Sequence, residues 1–205
     1  MASISVFDDL PLGRLNPVTN SSIGTLETVT GLTATHKQLG VSVRTTLTLA
    51  SVAIPVVNGT EYQYKKLWTF PQGRILLLNA ELSMAQTTTS ILADTLNSGS
   101  TGAMSVGSAA ASNVALTSTM ADMIASTAFT SSTTINVAGT AVTAVLDSNR
   151  DASELVNFDG TSTPIPVYFN NAYATTTDVD ADATQTFSGT IVLYWVYLGG
   201  TVNFS

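Results

Sequence analysis

A regular alternation of apolar and polar residues begins at Val41, and it restricts the fold of this chain more than any other feature. One parity contains Val41, Val43, Thr45, Leu47 and Leu49, and the other contains Ser42, Arg44, Thr46, Thr48 and Ala50. A period of two places successive side chains on opposite faces, which predicts a strand with one face against a core. The phase changes at Val52 and Ile54, predicting a bulge or corner, and we expect Pro55 to end the ladder.

Further alternating segments predict more strands. Asn58-Gly59 indicates a hairpin turn, because both positions tolerate positive φ, and a strand from Tyr62 to Phe70 should follow it. A third apolar row consists of Leu76, Leu78, Ala80, Leu82 and Met84. Later strands are predicted at Ile135–Val137, Ala141–Leu146, Ile165–Phe169 and Thr184–Leu198. Several short strands with little sustained helix favour an all-β sandwich or barrel.

Two segments lack this alternation. Residues 1–40 are interrupted by proline and glycine, and their isolated apolar residues include Phe7, Leu10, Leu12 and Leu15. We expect an extended N-terminal arm there, with a frayed terminus as the alternative, followed by a single β domain over residues 41–205. Residues 87–134 are rich in small and hydroxylic residues, and short helical turns are predicted near Ser118–Ala125 and Ile91–Leu96.

The last predicted strand is apolar on both faces in its second half. The run from Ile191 to Leu198 contains only aliphatic and aromatic residues, whereas Thr186, Ser188 and Thr190 alternate with larger apolar residues before it. A strand of this kind is normally covered on both sides, while a two-layer sandwich covers only one face of each sheet. We therefore expect the second face of this strand to be covered by another subunit or, as an alternative, by the chain's own loops.

The distribution of charge argues against binding to nucleic acid. Residues 101–205 contain one basic residue, Arg150, against eight acidic residues, and the net charge of the chain is -7. An acidic surface without a basic stripe repels a phosphate backbone. The N-terminus lacks the basic residues and apolar run of a secretory signal, and no segment is apolar enough to predict a membrane span.

Residues with catalytic potential are few. His36 is the only histidine and has no neighbouring acid to orient it, so a Ser-His-Asp triad is not expected. The acids Asp147, Asp151, Glu154 and Asp159 fall close together, but in an apparent loop where solvated acids are ordinary. We therefore expect no enzyme.

A metal or cofactor site is not expected either. There is no cysteine, and the alternating acids Asp178, Asp180 and Asp182 lack the glycine and the final glutamate of a calcium loop, although they could collect a weak cation. The aromatic residues Trp68 and Trp195, with the tyrosines, could form a sugar platform, although aromatic residues in strands are more often part of a core.

Two segments carry a resemblance to a known family. They are Lys65–Leu76, with the sequence KKLWTFPQGRIL, and Ser188–Gly199, with the sequence SGTIVLYWVYLG. Both resemble the capsid decoration, or cement, proteins of tailed bacteriophages. A weaker likeness covers Ala121–Thr127 and the Leu15–Gly31 part of the arm.

The resemblance implies a jelly-roll β-sandwich with an N-terminal arm, assembling as a homotrimer. Such a trimer would bind the major capsid protein and stabilise the outer surface of an icosahedral head that is assembled in the host cytoplasm. The family has no catalytic residues to transfer. From the residues alone we expect Phe7, Leu10, Leu12 and Leu15 to bind the capsid. We expect the subunit interface to contain Val192, Tyr194, Trp195, Val196 and Tyr197. The alternative function is a carbohydrate-binding or host-recognition module on a head fibre or cell surface.

Overall fold

The computed structural model describes residues 23–88, 101–130, 142–145, 156–173 and 182–199. Within these ranges the chain forms strands and one short 3-10 turn, at Ser118–Met120. The strands are β1 (Thr25–Leu26), β2 (Leu32–Leu39), β3 (Ser42–Val56), β4 (Tyr62–Thr69), β5 (Gly73–Thr88), β6 (Thr101–Gly107), β7 (Ile124–Thr130), β8 (Val142–Val145), β9 (Val156–Gly160), β10 (Pro166–Tyr173) and β11 (Ala183–Gly199). The predicted all-β class is confirmed.

The strands form two antiparallel sheets packed face to face. The first sheet has the order β1-β4-β10-β6-β7 and the second has the order β2-β3-β11-β5-β8, with β9 also paired to β5. The central orders β4-β10-β6-β7 and β3-β11-β5-β8 are those of a jelly roll, because strands that follow one another in the chain mostly alternate between the sheets. The predicted jelly-roll-like β-sandwich is therefore observed.

The predicted hairpin at Asn58-Gly59 is wrong, although the turn exists. Gly59 has φ 73° and the backbone N–H of Thr60 donates to the carbonyl of Val57 at 2.9 Å. However, β3 belongs to the second sheet and β4 to the first, so the turn connects the two layers instead of pairing its flanking strands. The local turn signal cannot distinguish a hairpin from a crossover between sheets.

The predicted bulge at the phase change of β3 is confirmed. The register against β11 shifts between Phe187 and Gly189, and Ser51 adopts φ 54° while its N–H donates to Ser188 Oγ at 2.9 Å. Pro55 does not end the ladder, because it pairs with β11 as far as Val56. Proline is tolerated there because β2 pairs with β3 only as far as Leu49, and no other described strand pairs with that edge of β3 beyond this point.

The predicted apolar row of β5 is correct in its second half only. Ala80, Leu82 and Met84 are buried between the sheets, but further toward the N-terminus the buried residues are Ile75 and Leu77. The register against β11 shifts between Tyr194 and Trp195, opposite Leu77 and Asn79. This irregularity reverses the parity, so that Leu76 and Leu78 point away from the core.

The middle of the chain agrees with its prediction in part. The 3-10 turn lies inside the predicted Ser118–Ala125 turn, but β7 already begins at Ile124. The predicted strands at 141–146 and 165–169 are found as β8 and β10, while the predictions at 91–96 and 135–137 lie outside the described residues.

Part of the segment predicted as an N-terminal arm, residues 1–40, forms a strand of the sandwich. β2 pairs with β3 along eight residues, and Leu32 and Ile23 are buried in the core. Residues 23–39 therefore belong to the sandwich, because their alternating residues, such as Leu32 and Ala34, pack against it. The arm prediction remains for residues 1–22, which lie outside the described residues together with Phe7, Leu10, Leu12 and Leu15.

The interior changes character from one end to the other. At one end Trp68, Phe70 and Trp195 form a cluster with ring centroids 4.6 to 5.9 Å apart, and Phe169 packs edge to face on Phe187 in the middle. At the opposite end the buried side chains are polar: Gln63, Gln86, Asn171, Tyr173 and Gln185. The sandwich therefore combines an aromatic end with an amide-rich end.

Candidate interaction surface

β11 has two apolar faces because its side chains alternate between the core and the outside. Ile191, Leu193 and Trp195 are fully buried between the sheets. The residues of the other parity lie on the outer face of the second sheet, where Val192 is nearly buried but Leu198 is 51% exposed. The strand is thus apolar on both faces, as the sequence indicates, but only its inner face is fully enclosed by the chain.

Neighbouring strands extend the apolar surface on that outer face. Val196 pairs with Leu76 of β5, and Leu78 on the same strand is 37% exposed. On the other side of Val196 lies Ser42, which in turn pairs with the exposed Leu39 of β2. We call this surface the outer apolar row; its members are Leu39, Leu76, Leu78, Val192, Tyr194, Val196 and Leu198.

The outer apolar row is bordered by polar groups. The guanidinium of Arg44, which pairs with Tyr194 across the sheet, lies over the tyrosine ring at 5.8 Å from its centroid. Lys37 lies beside Arg44 on β2, and Glu81 pairs with Val192 on β5. An apolar strip with a charged border is typical of a surface that contacts another protein.

The structure separates the predicted interface residues into two groups. Val192, Tyr194 and Val196 belong to the outer apolar row. Trp195 does not, because it is fully buried and its Nε1 donates to Thr45 Oγ1 at 3.0 Å. Tyr197 also faces inward, packs against the core, and donates its hydroxyl to the carbonyl of Gln72 at 3.0 Å.

Trp195 is therefore a core residue, and Tyr197 is partly buried against the core, so neither lies on the outer apolar row where the interface is predicted. The prediction also missed Leu198, although its parity with Val196 was available in the sequence. It missed Leu76 and Leu78 because the irregularity in β5 could not be placed from the sequence.

Part of the outer face of the first sheet is covered by the chain itself. Residues 108–123 lie over β10, where Ala111, Leu116 and Met120 form a small core with Ala172. Asn170 holds this cover, which we call the loop cover: its Oδ1 accepts from the Ala111 N–H at 2.9 Å. Its Nδ2 donates to the carbonyls of Ala109 and Met120 at 3.0 and 2.8 Å.

A carboxylate also fastens the loop cover. Asp122 accepts hydrogen bonds from the backbone N–H and the hydroxyl of Ser108, at 2.8 and 2.6 Å. Burial raises the pKa of Asp122, while the bonds from Ser108 oppose that rise. The group therefore binds its proton more tightly in the folded chain than in the unfolded one.

The aromatic residues considered for sugar binding include both buried and exposed side chains. Trp68 is fully buried with Trp195 in the aromatic end of the core, so neither can present a flat face to a glycan. Tyr64 is 49% exposed on the outer face of the first sheet, and its ring meets that of Tyr168 edge to face at 5.8 Å. Only this tyrosine pair remains as an aromatic platform in the part of the chain that the structure describes.

The single histidine, His36, takes part in a hydrogen-bond chain with Thr45 and Trp195. The Nε1 of Trp195 can only donate, so Thr45 Oγ1 accepts from it and its own proton is free to donate to His36 Nδ1, 3.0 Å away. Burial lowers the pKa of His36. No acid contacts the ring among the described residues, so the geometry of a triad is not formed there.

The acids named from the sequence are dispersed or lie outside the described residues. Asp159 accepts bonds from the hydroxyl and N–H of Thr161, which lower its pKa, and Asp182 accepts from the N–H of Asn58 at 2.8 Å. Asp147, Asp151, Glu154, Asp178 and Asp180 are outside the described ranges. Across those ranges, no group of three or more histidine or acidic residues is arranged to hold a metal ion.

Comparison with known proteins adds no relative. No protein-family model, curated protein or solved structure matches this chain. None of the helical segments that the structure describes has the length and apolar character needed to cross a membrane.

Proposed function

We propose that this protein is a virion structural protein that decorates and stabilises an icosahedral phage head by binding the shell of major capsid protein as a homotrimer. The observation that carries the proposal is the outer apolar row. Its members Leu39, Leu78 and Leu198 are among the large apolar side chains that are exposed in the described part of the chain. A second and third copy of the chain supply the missing cover.

The position of the family-like segments supports a structural role. Lys65–Leu76 contains the end of β4 and the start of β5, and Ser188–Gly199 is the second half of β11. They meet in the aromatic end of the core, where the rings of Phe70 and Trp195 are 5.4 Å apart. The segments that resemble decoration proteins thus build the sandwich, which agrees with a structural role.

The attachment to the capsid is assigned to residues 1–22. Phe7, Leu10, Leu12 and Leu15 are apolar residues spaced along a segment with little capacity to form its own core, and a segment of this kind can wrap a large surface once bound. Three such arms on one trimer would bind together, so a modest affinity for each arm becomes a tight attachment.

Two measurements test the proposal directly. Mass spectrometry of purified virions should find the protein at a copy number near that of the capsid protein. The isolated protein should be a trimer by light scattering at micromolar concentration. A protein that is absent from virions, or that is a stable monomer, contradicts the proposal.

Deletion of residues 1–22 tests whether binding to the capsid and formation of the trimer depend on different parts of the chain. Because the sandwich begins at Ile23, the shortened chain should remain a folded trimer but fail to bind capsids that lack the protein. A matched variant with Phe7, Leu10, Leu12 and Leu15 all changed to serine keeps the length of the arm and should fail in the same way. Binding at full affinity by either variant places the attachment surface on the sandwich instead.

The pair of exposed Tyr64 and half-buried Tyr168 supports a second candidate function, a module that binds carbohydrate. Calorimetry against a panel of glycans distinguishes the two functions. Heat of binding that is lost in Tyr64→Ala and retained in Tyr62→Ala favours the glycan module, whereas no heat with any glycan leaves the decoration protein as the better account.

A further inference from the structure

The two borders of the outer apolar row carry opposite charges. On one side, Lys37 of β2 and Arg44 of β3 lie opposite each other in the sheet, and we call this pair the basic border. On the other side, Glu81 of β5 lies opposite Val192 of β11 and forms the acidic border. Because β11 lies between β3 and β5 and adjacent strands are about 4.8 Å apart, Arg44 and Glu81 belong to strands that are about 10 Å apart. The surface therefore has an apolar centre between two borders of opposite charge.

The basic border has no acidic partner in the described part of the chain. The guanidinium of Arg44 lies over the ring of Tyr194, and its Nε is buried without an acceptor. Lys37 is exposed beside it. The ion pair that the described residues form joins Lys66 to Glu27, at the first sheet. The contact with the ring thus fixes the position of the Arg44 charge without neutralising it.

The acidic border has no basic partner in those residues either. Glu81 Oε1 accepts a long hydrogen bond of 3.4 Å from Asn79 Nδ2, which carries no charge. The residues opposite Glu81 on β11 and β8 are both valines. Arg74, on the same strand as Glu81, lies opposite Asp159 of β9 instead, so those two charges balance each other. Within the described ranges, the charge of Glu81 therefore stays unmatched.

A second copy of this chain offers the complement of both borders. A partner that covers the outer apolar row must place an acid against the basic border and a base against the acidic border. The chain has only seven basic residues and a net charge of -7, yet two of the seven lie side by side at this surface. Opposite charges on the two sides of an apolar centre make the surface complementary to itself.

We propose that Lys37 and Arg44 of one copy pair with Glu81 of the next copy around a ring of three. This inference rests on the proposed function, because it takes the homotrimer as its starting point. In a ring of three identical copies each contact is heterologous, so it joins two different surfaces of the chain. The basic and acidic borders are two such surfaces. Their charges determine the direction in which the copies follow one another, while the outer apolar row supplies most of the contact.

Charge reversal in the full-length protein tests the pairing. Glu81→Lys should raise the dissociation constant of the trimer by about tenfold or more, because it places like charges against each other across the contact. Sedimentation equilibrium measures this constant. Glu27→Lys is the matched control, since it changes the net charge by the same amount at the first sheet, and its trimer should equal that of the wild type.

Recovery in a combined variant guards against simple misfolding. The double variant Lys37→Glu with Arg44→Glu should also weaken the trimer, and adding Glu81→Lys to the same chain should restore it. A mixture of the double variant with Glu81→Lys chains should recover only in part, because any ring of three that contains both kinds of chain keeps one contact between like charges. Full recovery in the mixture indicates contacts between pairs of copies and overturns the proposal.

The outcomes separate this inference from the proposed function. A wild-type chain that is a stable monomer contradicts both. A wild-type trimer that Glu81→Lys leaves unchanged, or that the combined variant fails to restore, overturns the pairing of the borders and leaves the homotrimer standing.

Discussion

The two sheets of the sandwich differ in how their outer faces are covered. On the first sheet, Asn170 fastens residues 108–123 over β10 with three hydrogen bonds, and a small apolar core forms beneath them. On the second sheet, no described segment forms a comparable cover over Tyr194, Val196 and Leu198, and Leu198 is 51% exposed. Among the described residues, the chain thus covers part of one outer face and leaves apolar side chains exposed on the other, which we call the open face, so association is expected there.

The largest effect is expected from a charge on the open face. Val196→Glu should weaken self-association by about a hundredfold or more, because Val196 is flanked across the sheet by Ser42 and Leu76 and a buried carboxylate without a partner costs several kcal/mol. Analytical ultracentrifugation measures the change. Tyr64→Glu places the same charge on the outer face of the first sheet and should leave the oligomer intact. Equal loss in both variants would remove the distinction between the faces.

A smaller effect is expected from opening the covered face. Asn170→Ala removes three hydrogen bonds from buried backbone groups of the loop cover, which should lower the free energy of unfolding by about 2–4 kcal/mol. Urea titration measures this loss, and hydrogen exchange should locate the faster amides in residues 108–123. Asn157→Ala, at an exposed position of β9, is the control. A folded Asn170→Ala protein with an unchanged loop cover contradicts the role given to this side chain.

The loop cover should weaken as the pH rises. Since burial raises the pKa of Asp122, the folded chain binds this proton more tightly than the unfolded chain. The stability that it contributes is full below the ordinary value of 3.8 and falls as the pH rises through the folded pKa. Asp122→Asn keeps the bond from the Ser108 N–H, replaces the second with one that its Nδ2 donates to Ser108 Oγ, and should flatten this part of the stability profile. A profile identical to that of the wild type shows that the carboxyl has no such effect.

The edge of the open sheet should respond in the opposite direction, with the smallest effect of the four. Burial lowers the pKa of His36, so the stability of β2 is full above 6.5 and falls as the pH drops through the folded pKa. A protonated ring can no longer accept from Thr45, whose hydroxyl then loses a partner. Melting temperatures of wild type and His36→Gln, compared between neutral and mildly acidic pH, should converge at the acidic end. A constant difference would show that the ring does not titrate in this range.

The strands could be predicted from the sequence because their signal is local. Alternation at a period of two located β3, β4, β10 and β11, and the phase change at Val52 located a bulge. The assignment of strands to sheets could not be predicted, because the Asn58-Gly59 turn has the same local sequence whether it joins partners or crosses between layers. Strand β2 could not be predicted, because it is short and lies between Gly31 and Gly40 in a segment rich in glycine and proline.

The candidate surface was predicted in part for the same reason. Alternation places Val192, Tyr194 and Val196 on one face of β11 and Trp195 and Tyr197 on the other. Because the segment Ile191–Leu198 is apolar on both faces, its sequence does not show which face belongs to the core. The buried amides were missed because glutamine in a strand usually faces water. A signal did exist for Gln86, which continues the buried row of Leu82 and Met84.

The position of β11 has a consequence for biosynthesis. This strand lies between β3 and β5 and pairs with both along most of its length. During translation, β3 and β5 emerge first and cannot complete their sheet until β11 has left the ribosome, since most of their pairing partners are on it. Contacts this distant in sequence close slowly and leave apolar strand edges exposed in the meantime. The nascent chain is therefore most vulnerable to aggregation, and most dependent on chaperones, in the interval before β11 is inserted.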